Sequence, residues 1–145
     1  MSAVRYFEDI RQGEVGELGS VTLDAAEMLD YARRYDPQPA YLEPGERGLE
    51  ASPWYLCCIF MRLYASEFLN RHAAIVSPGL ERLEWLRPVH AGETLTGRYE
   101  VLEVRRSRSK PDRGHSRGRG TLEGADGRPV LALEAVNFFW ARSAG

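Results

Sequence analysis

A run of apolar side chains between positions 54 and 69 constrains the fold of this chain most. Ser52 can act as the N-cap of a helix and Pro53 as its first residue, which is a favoured pairing. The segment that follows is apolar on nearly all sides, so such a helix must be buried over most of its surface. Its modest length and its charged residues, Arg62 and Glu67, argue against a membrane span. The rest of the chain is therefore expected to wrap around this helix.

The segment after Ile75 supplies that wrapping, because its pattern predicts strands and no further helix. The dipeptide Asp126-Gly127 is a strong signal for a hairpin turn between the last two strands. With a short strand near Val15 to Val21, the pattern indicates an α+β domain of about five mainly antiparallel strands around one buried helix. The four later strands are expected at Leu80 to Leu86, Glu93 to Arg106, Gly114 to Glu123 and Pro129 to Trp140.

A second helix is predicted from Thr22 to Tyr35, where Asp24 and Glu27 have the spacing of a capping box. This helix must end at Pro37, and the sequence Asp36-Pro37-Gln38-Pro39 is expected to form a stiff connection. Each proline fixes its own φ and moves the preceding residue out of helical geometry. Side chains on this connection should therefore be held in place.

The chain has 145 residues, of which 43% are hydrophobic, which suits one domain over residues 1–145. Met1 to Gly13 does not resemble an exported leader, so a cytoplasmic location is expected. The formal net charge is −2, yet the segment Arg105 to Arg119 holds seven basic residues against Asp112 alone. One basic patch on an acidic body suits an anionic small ligand better than a nucleic-acid track. Adjacent Cys57 and Cys58 are predicted to be core thiols rather than a disulfide.

Three stretches of the sequence resemble the MaoC-like dehydratases, a family that includes the R-specific enoyl-CoA hydratases. The resemblance runs from about Tyr6 to Trp140, and it implies the hotdog fold, an acyl-thioester substrate and a homodimer or dimer of dimers. A free sheet edge, which proteins usually cover or pair with another copy, also favours a dimer. The three stretches are YARRYDPQPAY at 31–41, ASPWYLCCIFMRL at 51–63, and the segment from Ser77 to Gly114.

The resemblance assigns roles to single positions and also exposes two departures. Asp36 matches the catalytic aspartate of the hydratases, whereas Tyr41 stands where the family has its catalytic histidine and Gln38 where asparagine is usual. Pro53 replaces a glycine whose backbone N–H would polarise the thioester carbonyl, and proline has no N–H. A phenol with an ordinary pKa near 10 is a poor base at neutral pH. Asp36 and Tyr41 nevertheless remain the candidate catalytic residues.

Other residues are candidates for binding an acyl thioester such as acyl-CoA. Aromatic side chains near the start of the buried helix could line an acyl pocket, although core packing explains them equally well. The basic residues could contact the phosphates of a coenzyme A carrier, although a solvated connection is the alternative. The histidines at 72, 90 and 115 are expected at the surface, and no metal site or cofactor is predicted. The candidate binding residues are Pro53, Trp54, Tyr55, Trp85, Arg108, Lys110 and Arg113.

Three functions remain open from the sequence. The first is a hydro-lyase that adds water to a 2-enoyl thioester or removes it from a 3-hydroxyacyl thioester, with Asp36 as the main acid and base. The second is a non-catalytic acyl-CoA-binding relative, or a subunit of a hetero-oligomeric dehydratase, which the residues Tyr41 and Pro53 favour. A hotdog thioesterase is a third alternative. Nucleic acid and membrane partners are not expected.

Overall fold

The computed structural model describes residues 3–142, and an antiparallel sheet of five strands forms its framework. The strand order is β1-β3-β4-β5-β2, so β1 and β2 are the two edges of the sheet. The fold is α+β, as predicted, and each predicted strand lies within two residues of its observed bounds. The strands are β1 (Val15–Thr22), β2 (Gly79–Trp85), β3 (Thr94–Arg106), β4 (Arg113–Glu123) and β5 (Pro129–Trp140).

The apolar segment forms the long helix α3, which spans Pro53–Glu67 and lies against one face of the sheet. Leu56, Ile59 and Phe60 are almost fully buried, and the helix lies closest to strands β1, β3 and β4. A single 3₁₀ turn, Leu69–Arg71, follows the helix. Within residues 3–142, no helix combines the length and the hydropathy needed to cross a membrane.

Glycines on β4 create the space that the core aromatics occupy. A Cβ atom on Gly114 would overlap the Phe7 ring, and one on Gly120 would overlap the Phe60 ring. A β-strand places alternate residues on one face, so these glycines share the face that meets α3. The helix and its large side chains can therefore approach the sheet closely.

Two shorter helices precede α3. Helix α1 spans Ala25–Tyr35, and the Asp24 side chain caps it by accepting a hydrogen bond from the Glu27 N–H at 2.9 Å. The Glu27 carboxylate does not complete the predicted capping box, since it accepts hydrogen bonds from Tyr55 and Arg62 on α3. Helix α2, Pro39–Leu42, was not predicted, because it is a single turn whose signal is only the proline at its first position.

Two predictions about burial were wrong. His72 is buried, because the turn after α3 places its ring 4.2 Å from the Phe68 ring centroid. Cys58 is exposed, because α3 turns that side of the helix towards solvent, whereas Cys57 is half-buried. Both cysteines are free thiols.

Candidate active site

Asp36 ends helix α1, and two side chains hold its carboxylate in one orientation. The Gln38 amide donates to Oδ1 at 2.6 Å, and the Ser52 hydroxyl donates to Oδ2 at 2.6 Å. Pro37 fixes the backbone between Asp36 and Gln38. A carboxylate has about four lone-pair positions, so Asp36 can still accept a proton from a ligand or from water.

Ser52 links Asp36 to the start of helix α3. Its side chain is 2% exposed and occupies the N-cap position, yet its hydroxyl makes no capping hydrogen bond to the helix. The sequence identified Ser52 only as an N-cap, because the Ser52–Asp36 contact joins residues that are far apart along the chain. The contact places the carboxylate at the positive end of the α3 dipole.

The first turn of α3 contains one free backbone N–H that can donate a hydrogen bond to a ligand. Pro53 has no N–H, and the N–H groups of Tyr55 and Leu56 both donate to the Ser52 carbonyl. Among residues 3–142, no acceptor pairs with the Trp54 N–H. Free N–H groups at a helix N-terminus are well suited to a developing negative charge. Trp54 N–H is therefore the available donor beside Asp36.

Tyr41 lies on α2, and its surroundings suppress ionisation of the phenol. Partial burial raises the pKa of Tyr41 above its ordinary value, and the negative charges of Glu50 and Asp36 raise this pKa further. A general base at this position would need the opposite shift. Tyr41 therefore stays protonated near neutral pH and can serve as a hydrogen-bond donor.

Two of the predicted aromatic residues meet beside the start of α3. The rings of Trp54 and Trp85 pack edge to face with their centroids 4.9 Å apart. Trp85, Pro53 and Leu56 line a hollow of about 260 Å³. Tyr55 lies elsewhere, because its buried hydroxyl donates to the Glu27 carboxylate of α1 at 2.5 Å.

The predicted basic residues lie at the other end of the sheet. Arg108 and Lys110 belong to the connection between β3 and β4, and Arg113 opens β4 opposite Trp140. The Arg113 guanidinium stacks 4.6 Å from the Trp140 ring centroid and pairs with Asp112 at 2.9 Å. Trp85 pairs with Leu131 at the other end of β5, about 30 Å away at roughly 3.3 Å per residue. One chain by itself does not bring the basic connection to Asp36.

A polar groove adjoins the hollow at the start of α3, and sequence reasoning did not anticipate it. The groove has a volume of about 880 Å³ and shares Glu50, Arg87 and Pro88 with the smaller hollow. Arg87 is paired with Glu93 at 3.0 Å. The residues that line the groove come from three connections, α2 to α3, β2 to β3 and β4 to β5, so no local motif marks them. The other groove residues that carry charge or titrate are Arg47, His90 and Asp126.

Comparison with solved structures identifies the fold. A MaoC-like dehydratase from Rhodospirillum rubrum is 27% identical, with a TM-score of 0.87 over 95% of this chain and 98% of that chain. A Mycobacterium tuberculosis protein with a double hotdog fold is 21% identical, with a TM-score of 0.83 over 95% of this chain and 44% of that chain. The (R)-hydratase from A. caviae involved in PHA biosynthesis is 22% identical, with a TM-score of 0.72 over 90% of this chain and 97% of that chain.

No family model and no curated protein sequence matches this chain. The structural comparisons nevertheless agree with one another along almost its whole length. The chain has the hotdog fold, and the resemblance to MaoC-like dehydratases that the sequence predicted is confirmed.

Proposed function

We propose that this protein is an acyl-thioester hydratase or dehydratase, in which Asp36 is the acid and base. The observation that carries the proposal is the hydrogen bond from Ser52 to Asp36, which holds a carboxylate beside the free Trp54 N–H at the start of α3. A positioned proton acceptor and an oxyanion donor are the two groups that hydration of an enoyl thioester requires.

The reaction would proceed as follows in the hydration direction. Asp36 takes a proton from water while the water oxygen bonds to C3 of the 2-enoyl thioester. The Trp54 N–H and the positive end of α3 stabilise the negative charge that develops on the thioester oxygen. A proton then passes from Asp36 to C2, and the reverse sequence is dehydration of the 3-hydroxyacyl thioester. Tyr41 would donate a hydrogen bond to a ligand oxygen, since its raised pKa keeps it protonated.

A second copy of the chain would supply the phosphate contacts of a coenzyme A carrier. Strand β2 is a free edge of the sheet with exposed apolar residues, among them Leu80 and Trp85. Antiparallel pairing of two β2 strands about a two-fold axis would set the Trp85 end of one chain beside the Gly79 end of the other. The Gly79 end of β2 lies on the same side of the sheet as the basic connection that contains Arg108, Lys110 and Arg113.

A second candidate function is binding of acyl thioesters without hydration. Pro53 removes a backbone donor, and the raised pKa of Tyr41 disfavours the phenol as a base in place of a histidine. A lost acid or base typically costs about 10²–10⁴ in rate, and a lost oxyanion donor about 10²–10³. Together, these two losses favour a protein that binds an acyl thioester in the cleft and does not catalyse its hydration.

Ultraviolet absorbance of trans-2-enoyl-CoA thioesters separates the two candidates. We expect the wild type to consume the conjugated enoyl signal and Asp36→Asn to do so about 10²–10⁴ times more slowly, because asparagine cannot accept the proton. Asp30→Asn is the matched control, since Asp30 is an exposed residue of α1 that pairs only with Arg34 in the described structure. Equal rates for wild type and Asp36→Asn would refute the catalytic assignment. Binding without turnover would support the second candidate.

The pH dependence of the same reaction tests the role of Tyr41. Because its pKa is raised, Tyr41 carries its proton throughout the range from about pH 6 to 9. We expect Tyr41→Phe to weaken substrate binding while the shape of the pH–rate profile stays that of the wild type. A basic limb that disappears in Tyr41→Phe would show that the phenol does titrate during catalysis.

A further inference from the structure

A second hollow lies further along α3, between the helix and strands β2 and β5. Its volume is about 480 Å³. Most of its lining is apolar, with Cys57, Phe60, Met61, Leu80, Leu133 and Ala135 among the residues. An apolar hollow of this size suits a hydrocarbon chain.

Asn137 is a buried polar residue in the lining of this cavity. Its side chain is 5% exposed, and it points inward from β5. The Nδ2 group donates to the Tyr64 hydroxyl at 2.7 Å and lies 3.5 Å from the Tyr99 hydroxyl. Within residues 3–142, no donor pairs with the Oδ1 atom of Asn137.

The two tyrosines fix the direction of the Asn137 amide. Burial and the neighbouring Tyr99 raise the pKa of Tyr64, so Tyr64 keeps its proton. The Tyr64 oxygen accepts from Nδ2, as does the Tyr99 oxygen at a longer distance, which leaves Oδ1 as the free polar atom of Asn137. Ser77 offers the cavity no such atom, because its hydroxyl donates to the Val136 carbonyl.

The cavity and the hollow at the start of α3 lie one after the other along the same helix, with no lining residue in common. Cys57 lines the cavity and its thiol contacts the Trp85 indole, while Trp85 lines the hollow at the start of the helix. The helix rises about 16 Å from Pro53 to Tyr64, at roughly 1.5 Å per residue. Tyr64 is the residue of α3 that contacts Asn137. Single bonds of about 1.5 Å advance an extended chain by only about 1.25 Å each because of the bond angle, so a chain of about twelve carbon atoms with a terminal hydroxyl spans roughly 15 Å.

We propose that this cavity holds the acyl chain of the thioester, and that Asn137 selects chains carrying a hydroxyl group near their far end. The inference rests on the proposed binding of an acyl thioester at the start of α3. A hydroxyl on the chain would donate to Asn137 Oδ1, and a plain alkyl chain would leave that oxygen unpaired. Sites built to hydrogen-bond a substrate hydroxyl discriminate strongly against the analogue that lacks it.

Calorimetric titration of the wild-type protein with saturated thioesters tests this inference, because saturated chains cannot be hydrated. The probes are butyryl-CoA, dodecanoyl-CoA and ω-hydroxydodecanoyl-CoA. We expect the hydroxylated long chain to bind about tenfold more tightly than dodecanoyl-CoA, the factor that a net gain of about 1.4 kcal/mol gives. Equal affinities for these two ligands would overturn the role of Asn137, and this comparison needs no variant.

The variant Asn137→Leu provides the second measurement. We expect it to lose the preference for the hydroxylated chain, while Asn70→Leu, at an exposed position after α3, retains it. If both long chains bind no better than butyryl-CoA, the chain does not occupy the cavity, and the inference fails while the proposed function stands. If no thioester binds, the proposed function and the inference fail together.

Discussion

At the scale of single residues, His72 shows how burial controls charge. Its ring lies between those of Phe68 and Phe139, and Nδ1 donates to the Phe68 carbonyl at 2.6 Å. The Nε2 atom is buried and has no partner among the described residues. Burial lowers the pKa of His72 and outweighs the effect of the Phe68 carbonyl, with the charge of Arg5 lowering it further and those of Glu14 and Asp9 opposing.

The lowered pKa of His72 predicts a loss of stability in mild acid. The unfolded chain binds a proton at this site at a higher pH than the folded chain does, so the stability contribution is complete above the unfolded pKa of about 6.5 and declines as the pH falls below it. We expect urea denaturation to show a smaller decrease in unfolding free energy between about pH 7 and 5 for His72→Phe than for the wild type.

The matched variant for this test is His115→Gln, at a half-buried position on the outer face of β4. It should follow the wild-type pH dependence. Parallel curves for the wild type and His72→Phe would show that another group causes the acid sensitivity.

At the scale of elements, the sequence of β4 decides how closely α3 lies to the sheet. Gly118 and Gly120 are buried, and Cβ atoms there would overlap the rings of Tyr99 and Phe60. Neither glycine has a positive φ. Glycine is therefore needed at these positions only because a larger side chain would not fit.

A methyl group at position 120 tests this account of the helix–sheet packing. We expect Gly120→Ala to lower the free energy of unfolding by about 1–3 kcal/mol, because Phe60 must move off its preferred position. Gly45→Ala is the control, since a Cβ there meets nothing within 4 Å and the backbone needs no positive φ. Denaturant midpoints would measure both, and an equal effect at the two positions would contradict the packing argument.

At the scale of the whole molecule, the two sheet edges differ in what they expose. Beside β2 lie Val76, Leu80 and Leu86, exposed to 75%, 52% and 46%. Exposed apolar edges favour pairing with another strand. Pairing here would also cover the mouth of the cavity that contains Leu80 and Val76.

A charge placed on this edge tests the proposed dimer. We expect the wild type to sediment as a dimer and Leu80→Glu as a monomer, because pairing of the two β2 strands would bury the new carboxylate at the interface. Val15→Glu, on the opposite edge at β1, has a similar exposure of 50% and should leave the dimer intact. A dimer that survives Leu80→Glu but not Val15→Glu would place the interface on the other edge.

The sequence by itself determined the elements of this protein. A helix that is apolar on nearly all sides needs a sheet around it. The alternating patterns and the Asp126-Gly127 turn locate the strands to within two residues, because these signals are local. Local signals also indicated Asp36 as a residue held on a stiff proline-flanked connection. The placement of Tyr41 opposite the family histidine came from the resemblance.

Only the tertiary structure decided which groups meet. The contact of Ser52 with Asp36 and the free oxygen of Asn137 each depend on elements that are distant in the chain. The same holds for the separation of Arg108, Lys110 and Arg113 from Asp36 and for the burial of His72. Long-range packing sets these distances, and packing depends on the volumes and directions of side chains from several elements at once. No periodicity along one segment encodes them.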